Sequence, residues 1–185
     1  GRGNVMINSK KNIDAGIKKL KGKLLYVEKF VPFVKELAIM VVRSTGGQVK
    51  TYPVVETVHK NNICHTVFAP AEINDSIKEK AEKIGIKVMK HLKGAGVFGI
   101  EMFLSKNGEV LVNEIAPRVH NSGHFSIEAC VTNQFEQHIR AITGLPLGVT
   151  DMTVPAAVMI NILGERTGNA TIKGLDKVLG IPDVF

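Results

Sequence analysis

The sequence predicts an α+β fold in which an antiparallel sheet carries flanking helices, and three observations carry that prediction. Residues 24–68 are rich in Val, Ile, Thr and aromatic side chains, which suit a pleated, half-buried surface. From Asn74 onward the apolar residues change to helical spacing. Asn107-Gly108 then stands between two further apolar runs. That dipeptide is a strong hairpin signal, because a two-residue type I′ turn needs positive φ at both central positions.

Taken in order, residues 12–21 read as a short amphipathic helix that Asn12 caps and Gly22 closes. Leu24–Phe30, Glu36–Arg43, Gln48–Thr57 and Ile63–Phe68 read as strands of an antiparallel meander, with Gly46-Gly47 turning the second into the third. The next helix has an apolar face of Ile77, Ala81, Ile84 and Val88, and Ser76 and Glu79 have capping-box spacing. It leads into the hairpin, Gly96 to Glu114. A second helix carries Ile127, Val131, Phe135, Ile139 and Ile142 along one side and is closed by Gly144, with Pro146 just beyond. Val154–Leu163 reads as a last strand. Residues 165–185 read as the opening of another domain, and no internal repeat or low-complexity tract interrupts the chain.

With 185 residues, 44% of them hydrophobic, the chain can bury one good core or two small lobes. No apolar run approaches the roughly 18 residues of a membrane span. Gly1-Arg2-Gly3-Asn4 is neither a signal peptide nor an initiator methionine, so the chain is expected to be a piece of a longer protein. Cys64 and Cys130 are too few for a disulfide framework and lack zinc-site spacing, which fits a reducing, cytoplasmic compartment. A net charge of +7 suits an anionic partner. Lys10, Lys11, Lys18, Lys19, Lys21 and Lys23 crowd the N-terminal stretch, but Trp is absent and only Tyr26 and Phe30 follow nearby. Without a stacking platform, a phosphorylated small molecule is expected rather than nucleic acid.

Two glutamates point to chemistry. If Asn107-Gly108 form the turn, Lys106 faces Glu109 and Glu101 faces Glu114. Directly opposed side chains have Cβ atoms roughly 4.5–5.5 Å apart, and like charges there destabilise a sheet. A divalent cation offsets the repulsion, and Mg²⁺ is usually held by one or two carboxylates plus substrate phosphates. A shared proton would offset it too, and a register shifted by one residue would send the two side chains to opposite faces. The metal pair is the preferred reading.

Three strings then carry a resemblance: Tyr26 to Phe33 followed by Glu36; Gly99 to Phe103; and Val112 to His124. Together they resemble an ATP-grasp enzyme, and more narrowly the carboxyaminoimidazole ribonucleotide synthetases, the ATP-dependent subunit or domain of phosphoribosylaminoimidazole carboxylase. The resemblance runs over nearly the whole chain. The string from Asn113 to His124 is specific to that enzyme, whereas the two separated glutamates are shared by the superfamily.

The resemblance implies roles residue by residue. Glu28, Lys29, Phe30 and Val31 match the stretch that joins two lobes and holds adenine through backbone hydrogen bonds, and Glu36 matches the acid on the ribose hydroxyls. Val31-Pro32 suits this, since Pro removes a ladder donor and favours a break where backbone groups can face a ligand. On residues alone, an ordinary edge strand with an exposed acid is the preferred reading. Gly1-Arg2-Gly3-Asn4 resembles the end of a glycine-rich phosphate loop. Glu101 and Glu114 match the metal carboxylates, for Mg²⁺ or Mn²⁺, and Asn113 matches a nucleotide contact; His59 matches a position near the nucleotide phosphates, although on residues alone a loop histidine is the preferred reading. Where many ATP-grasp enzymes carry a metal-side asparagine, this chain has Ala116. Arg118, His120, Asn121 and Ser122 match the acyl-phosphate and substrate site, with Arg118 and His120 in the catalytic positions. His124 ends the same string. Arg suits a planar oxyanion because its fork donates two parallel hydrogen bonds.

By the same resemblance, residues 1–30 are a remnant of the small lobe, 31–164 the large lobe and 165–185 the start of a C-terminal domain. The implied reaction is ATP- and bicarbonate-dependent carboxylation of aminoimidazole ribonucleotide through carboxyphosphate in purine biosynthesis. The isolated piece is expected to be inert, and the whole enzyme a homo-oligomer, fused in fungal forms to a mutase domain. Two rivals remain: another ATP-grasp ligase such as a biotin carboxylase or formate-dependent transformylase, and a non-catalytic basic binding module.

Overall fold

A computed structural model describes residues 3–22, 24–164, 167–169 and 171–185. Gly1 and Arg2 of the expected phosphate-loop remnant lie outside the described residues. The centre is β1 (Lys35–Arg43), a nine-residue strand whose interior is fully buried from Leu37 to Val42. Such a run packs on both faces, and β1 also pairs on both sides. Around it are β2 (Val49–Thr51), β3 (Val55–Lys60), β4 (Ile63–Ala69), β5 (Gly96–Leu104), β6 (Val110–Ala116) and β7 (Ala157–Ile160). All pairings are antiparallel, in the order β6-β5-β1-β3-β4-β7, with β2 on β1.

One face is closed by α2 (Asp75–Leu92), whose Ile77, Ala81 and Met89 pack on Leu37, Ile39, Val41, Ile100 and Met102. Gly85 permits the approach, since a Cβ there would stand 2.9 Å from a Val41 methyl. Ala38, Met40 and Val42 point to the other face, where α3 (Ser126–Ala129) and α4 (Gln134–Thr143) bring Ala129 and Ala141 into a second core with Phe125 and Leu147. Outside the sheet lie α1 (Ile13–Lys19) and α5 (Leu175–Leu179). No helix among the described residues is long and apolar enough to cross a membrane.

Several local expectations are corrected. Leu24–Phe30 is not a strand: Leu24 and Val27 are almost fully exposed, and strand propensity forms no ladder without a partner among the described residues. The first helix is shorter, a 3-10 turn at Lys10–Asn12 leading into α1, and Asn12 makes no side-chain cap. Gln48–Thr57 splits into β2 and β3 around Tyr52-Pro53, where Pro lacks a ladder donor. The cap of α2 is Asn74, whose side chain accepts from the Ile77 N–H, so Ser76 lies inside the helix and Glu79 pairs with Lys83 instead. The last strand is only Ala157–Ile160.

The second helix departs furthest from expectation. It is two helices, with Asn133 capping α4 through the Phe135 and Glu136 N–H groups. Ile127, Val131, Phe135, Ile139 and Ile142 are all exposed, and the side turned to the sheet carries Gln134, Gln137 and Ala141. Both glutamines are fully buried because each amide satisfies a backbone segment: Gln134 bonds the N–H and C=O of His120, and Gln137 those of Gly148. Gly144 ends the helix in the left-handed conformation, as its position predicts.

Candidate active site

The site begins with a register. The β5–β6 loop is not a two-residue turn: Ser105 and Glu109 close it, the Gly108 N–H donates to Ser105 O, and only Gly108 has positive φ. This is a three-residue loop, so Ser105 rather than Lys106 faces Glu109. Leu104, Phe103 and Met102 accordingly pair with Val110, Leu111 and Val112. Continued unchanged, that register would put Asn113 opposite Glu101. A β-bulge intervenes, and beyond it Glu101 pairs with Glu114. Bulges insert one extra residue and re-aim neighbouring side chains; here the extra residue is Asn113, whose amide lies 3.4 Å from a Glu101 carboxylate oxygen. The expected carboxylate pair therefore forms through a loop and a bulge that compensate each other.

Pairing across the sheet places the remaining acid and two histidines on the same face. Glu101 lies opposite Ala38 on β1, and Glu36, two residues earlier, lies between Phe103 on β5 and Thr57 on β3. Side chains two apart on a strand share a face, so Glu36 and Glu101 look the same way. His59 Nδ1 bonds the Glu36 carboxylate. His120 Nε2 stands 3.5 Å from Glu101. Phe33 stacks on Phe103 with ring centroids 4.5 Å apart, and the Val34 N–H donates to Leu104 O. These contacts hold Phe33 and Val34, just after the Glu28–Val31 stretch, against β5 beside the acidic cluster. Glu28, Lys29 and Phe30 are exposed and Val31 is half-buried.

Burial raises the Glu101 carboxyl above its ordinary range; His59 opposes this, and the Glu114 and Glu36 charges add to it. Burial and then the Arg118 charge hold His120 below the ordinary histidine value, which favours neutral imidazole. Ser122 donates its backbone N–H to His120 Nδ1 at 3.4 Å, and its hydroxyl lies 2.8 Å from the same nitrogen. With Nδ1 accepting, the ring proton sits on Nε2, facing Glu101. Burial also lowers His124, which stacks on Phe135.

The donor set fits a hard cation in one respect. Two carboxylates face each other with an excess of negative charge, as a Mg²⁺ site completed by phosphate oxygens requires. Among the described residues no group of three or more His, Cys, Asp or Glu side chains is placed to hold an ion by itself. Arg118 is not drawn into this cluster: it is exposed, and its guanidinium donates to the adjacent Val119 C=O at 2.8 Å. Asn121 lies half-buried in the turn that carries Ser122. Sequence reasoning missed the Phe33–Phe103 stack and Gln134. Gln134 lies off the apolar stripe, on the side of α4 turned to the sheet, so hydropathy gave no signal for it.

Residues 1–135 match the ATP-grasp domain. The chain belongs to the ATP-grasp family. It is 53% identical over 98% of its length to a phosphoribosylaminoimidazole carboxylase of Ogataea methanolica, covering 34% of that relative. It resembles the crystal structure of N5-carboxyaminoimidazole ribonucleotide synthetase from Thermus thermophilus, with a TM-score of 0.86 at 37% identity over 98% of this chain and 48% of that one. It also resembles N5-carboxyaminoimidazole synthase of Aspergillus clavatus in complex with ADP and 5-aminoimidazole ribonucleotide, with a TM-score of 0.84 at 41% identity over 88% of this chain and 44% of that one. The chain thus spans about a third of the first curated relative and under half of the solved chains. Within this ATP-grasp chain, the acidic cluster lies on the sheet face opposite α2, beside the segment that enters β1.

Proposed function

We propose that the full-length protein uses ATP to carboxylate aminoimidazole ribonucleotide with bicarbonate, and that this chain supplies the nucleotide face, the metal carboxylates and part of the acceptor site. What carries the reading is the gathering of Glu36 with His59, and Glu101 with Glu114, on one sheet face. The identity to the Ogataea enzyme and the aminoimidazole ribonucleotide bound by the Aspergillus neighbour support the choice of acceptor.

On this reading Glu28–Val31 line the adenine, Glu36 accepts from the ribose hydroxyls, and His59 and Asn113 approach the phosphates. Glu101 and Glu114 would hold Mg²⁺ or Mn²⁺ together with phosphate oxygens, the ion neutralising charge on the transferred group. A bicarbonate oxygen bonds to the γ-phosphorus as the bond to ADP breaks, giving carboxyphosphate. Its carbon then bonds to the exocyclic amine of the ribonucleotide, inorganic phosphate leaves, and the amine loses a proton. Arg118 meets the oxyanion, a task for which an exposed guanidinium with donors to spare is suited. His120, neutral and carrying its proton on Nε2, donates toward the same anion, with Asn121 and Ser122 as neutral partners. Phosphoryl transfer asks mainly for positioning and charge neutralisation.

The test is product analysis of the full-length protein with ATP, Mg²⁺ and ¹³C-bicarbonate. Label should enter aminoimidazole ribonucleotide with ADP released in equal amount. ADP release that depends on biotin, or on formate and a different ribonucleotide, would replace this reading with one of its ATP-grasp rivals.

A further inference from the structure

We propose that Gln134 is a positioning residue that fixes the His120 backbone, and with it the imidazole, over the metal strand. The inference rests on the carboxylase reading for its chemistry, but its geometry stands alone. Gln134 lies at the start of α4, fully buried, and its hydrogen bonds go to His120 and Ser126 rather than to an acidic side chain. Its Oε1 accepts from the His120 N–H at 2.9 Å and its Nε2 donates to the His120 C=O at 2.8 Å. One side chain therefore satisfies both backbone groups of the residue whose ring reaches Glu101.

The clamp is itself held. The Gln134 backbone N–H donates to Ser126 Oγ at 3.0 Å, and that hydroxyl donates to Gly123 O at 2.6 Å. Gly123 packs against the Gln134 amide so closely that a Cβ would collide with Oε1. Beneath the ring, Gly99 of β5 leaves the space into which His120 settles, since a Cβ there would stand 2.5 Å from His120 Cβ. The ring is thus fixed from below by a glycine of the metal strand and from behind by a glutamine of the next helix. Its Nδ1 is meanwhile occupied by Ser122. A fixed donor costs no reorganisation when charge develops in front of it, which is what such a frame provides.

Gln137 supplies an internal control. One turn along α4 it is equally buried and makes the same two-way amide contact, but to Gly148, away from the site. Gln134→Met and Gln137→Met each remove a comparable pair of buried bonds, and only the first takes them from His120, whose N–H then loses its partner while its C=O keeps the bond from the Gly123 N–H.

The experiment compares the two variants in the full-length protein, recording thermal midpoint, KM for ATP and kcat with aminoimidazole ribonucleotide. Both should lose a similar amount of thermal stability. Gln134→Met should lower kcat by about 100-fold, the scale of a 1 Å misplacement, with KM for ATP within about threefold of wild type. Gln137→Met should keep its kcat. Equal losses of kcat in the two variants, or a Gln134→Met enzyme with unchanged kcat, overturn the proposal. If Gln134→Met does not fold, Gln134→Glu, which keeps the acceptor and the volume but loses the donor to His120 O, is judged by the same split. Failure of both to fold makes Gln134 a core residue and overturns it as well. A wild-type protein that does not carboxylate the ribonucleotide refutes the functional reading instead, and is recognised before any variant is made.

Discussion

Replacing Glu114 by Gln should stabilise the metal-free protein and at the same time abolish its response to Mg²⁺ and ATP. Glu101 is 20% exposed and lies directly opposite Glu114, which faces solvent. Two unit charges about 5 Å apart repel by about 3 kcal/mol at an effective dielectric of about 20, and by under about 1 kcal/mol in bulk water. With one partner in solvent the cost lies between those limits, about 1–2 kcal/mol. The sign with pH follows from Glu101, whose carboxyl is raised by burial first and by Glu114 in addition. A carboxyl that holds its proton more tightly when folded destabilises the fold above its folded pKa, and the cost is relieved as pH falls through that pKa. The gain from Glu114→Gln should therefore be full near neutral pH and shrink on acidification. Urea unfolding of the full-length protein, without metal, near neutral pH and in mild acid, measures both. With Mg²⁺ and ATP added, the wild-type midpoint should rise by mass action and the variant's should not. A variant less stable than wild type without metal, or one whose midpoint still climbs with Mg²⁺-ATP, would refute the shared-cation reasoning.

Other outcomes follow from single residues. Arg118→Ala should lower turnover of aminoimidazole ribonucleotide by orders of magnitude with little change in ATP affinity, while Glu36→Ala should mainly raise KM for ATP; steady-state kinetics giving the reverse split would misplace the oxyanion site. Asn74→Ala should cost about 1 kcal/mol in urea unfolding by removing the cap on the Ile77 N–H, and no loss would mean the cap is redundant. Burial pushes the Cys64 and Cys130 thiols up to about 11, and raises the Tyr52 hydroxyl as well. All three hold protons more tightly folded than unfolded, so stability should fall as pH climbs from about 9 toward 11. Unfolding midpoints that stay flat over that window would contradict their burial.

The carboxylate pair was legible in the sequence for a reason that proved incomplete. Counting from Asn107-Gly108 gave the right partners, yet the turn holds three residues and the bulge at Asn113 restores the register. Nothing marks Asn113 as a bulge, because its identity suits a strand edge as well as an insertion. The helix after residue 126 misled for a different reason. Hydropathy assigns Ile127, Val131, Phe135, Ile139 and Ile142 to the core, but Gln134 and Gln137 are buried by backbone partners distant in sequence, which no periodicity encodes. Leu24–Phe30 has the composition of a strand, but forming one depends on a neighbour rather than on its own residues. The grouping of Glu36 with His59 became visible only once β1 and β3 were paired. Arg118 and His120, by contrast, were singled out by the string around them, and no physical argument from composition would have chosen them.

Whether Glu101 and Glu114 share a cation can be seen by anomalous diffraction from crystals of the full-length protein grown with Mn²⁺ and a non-hydrolysable ATP analogue. A manganese peak should lie between the carboxylates of Glu101 and Glu114 and contact phosphate oxygens, with the ribose at Glu36. A peak that touches neither glutamate, or a nucleotide bound on the α2 face of the sheet, would contradict this placement.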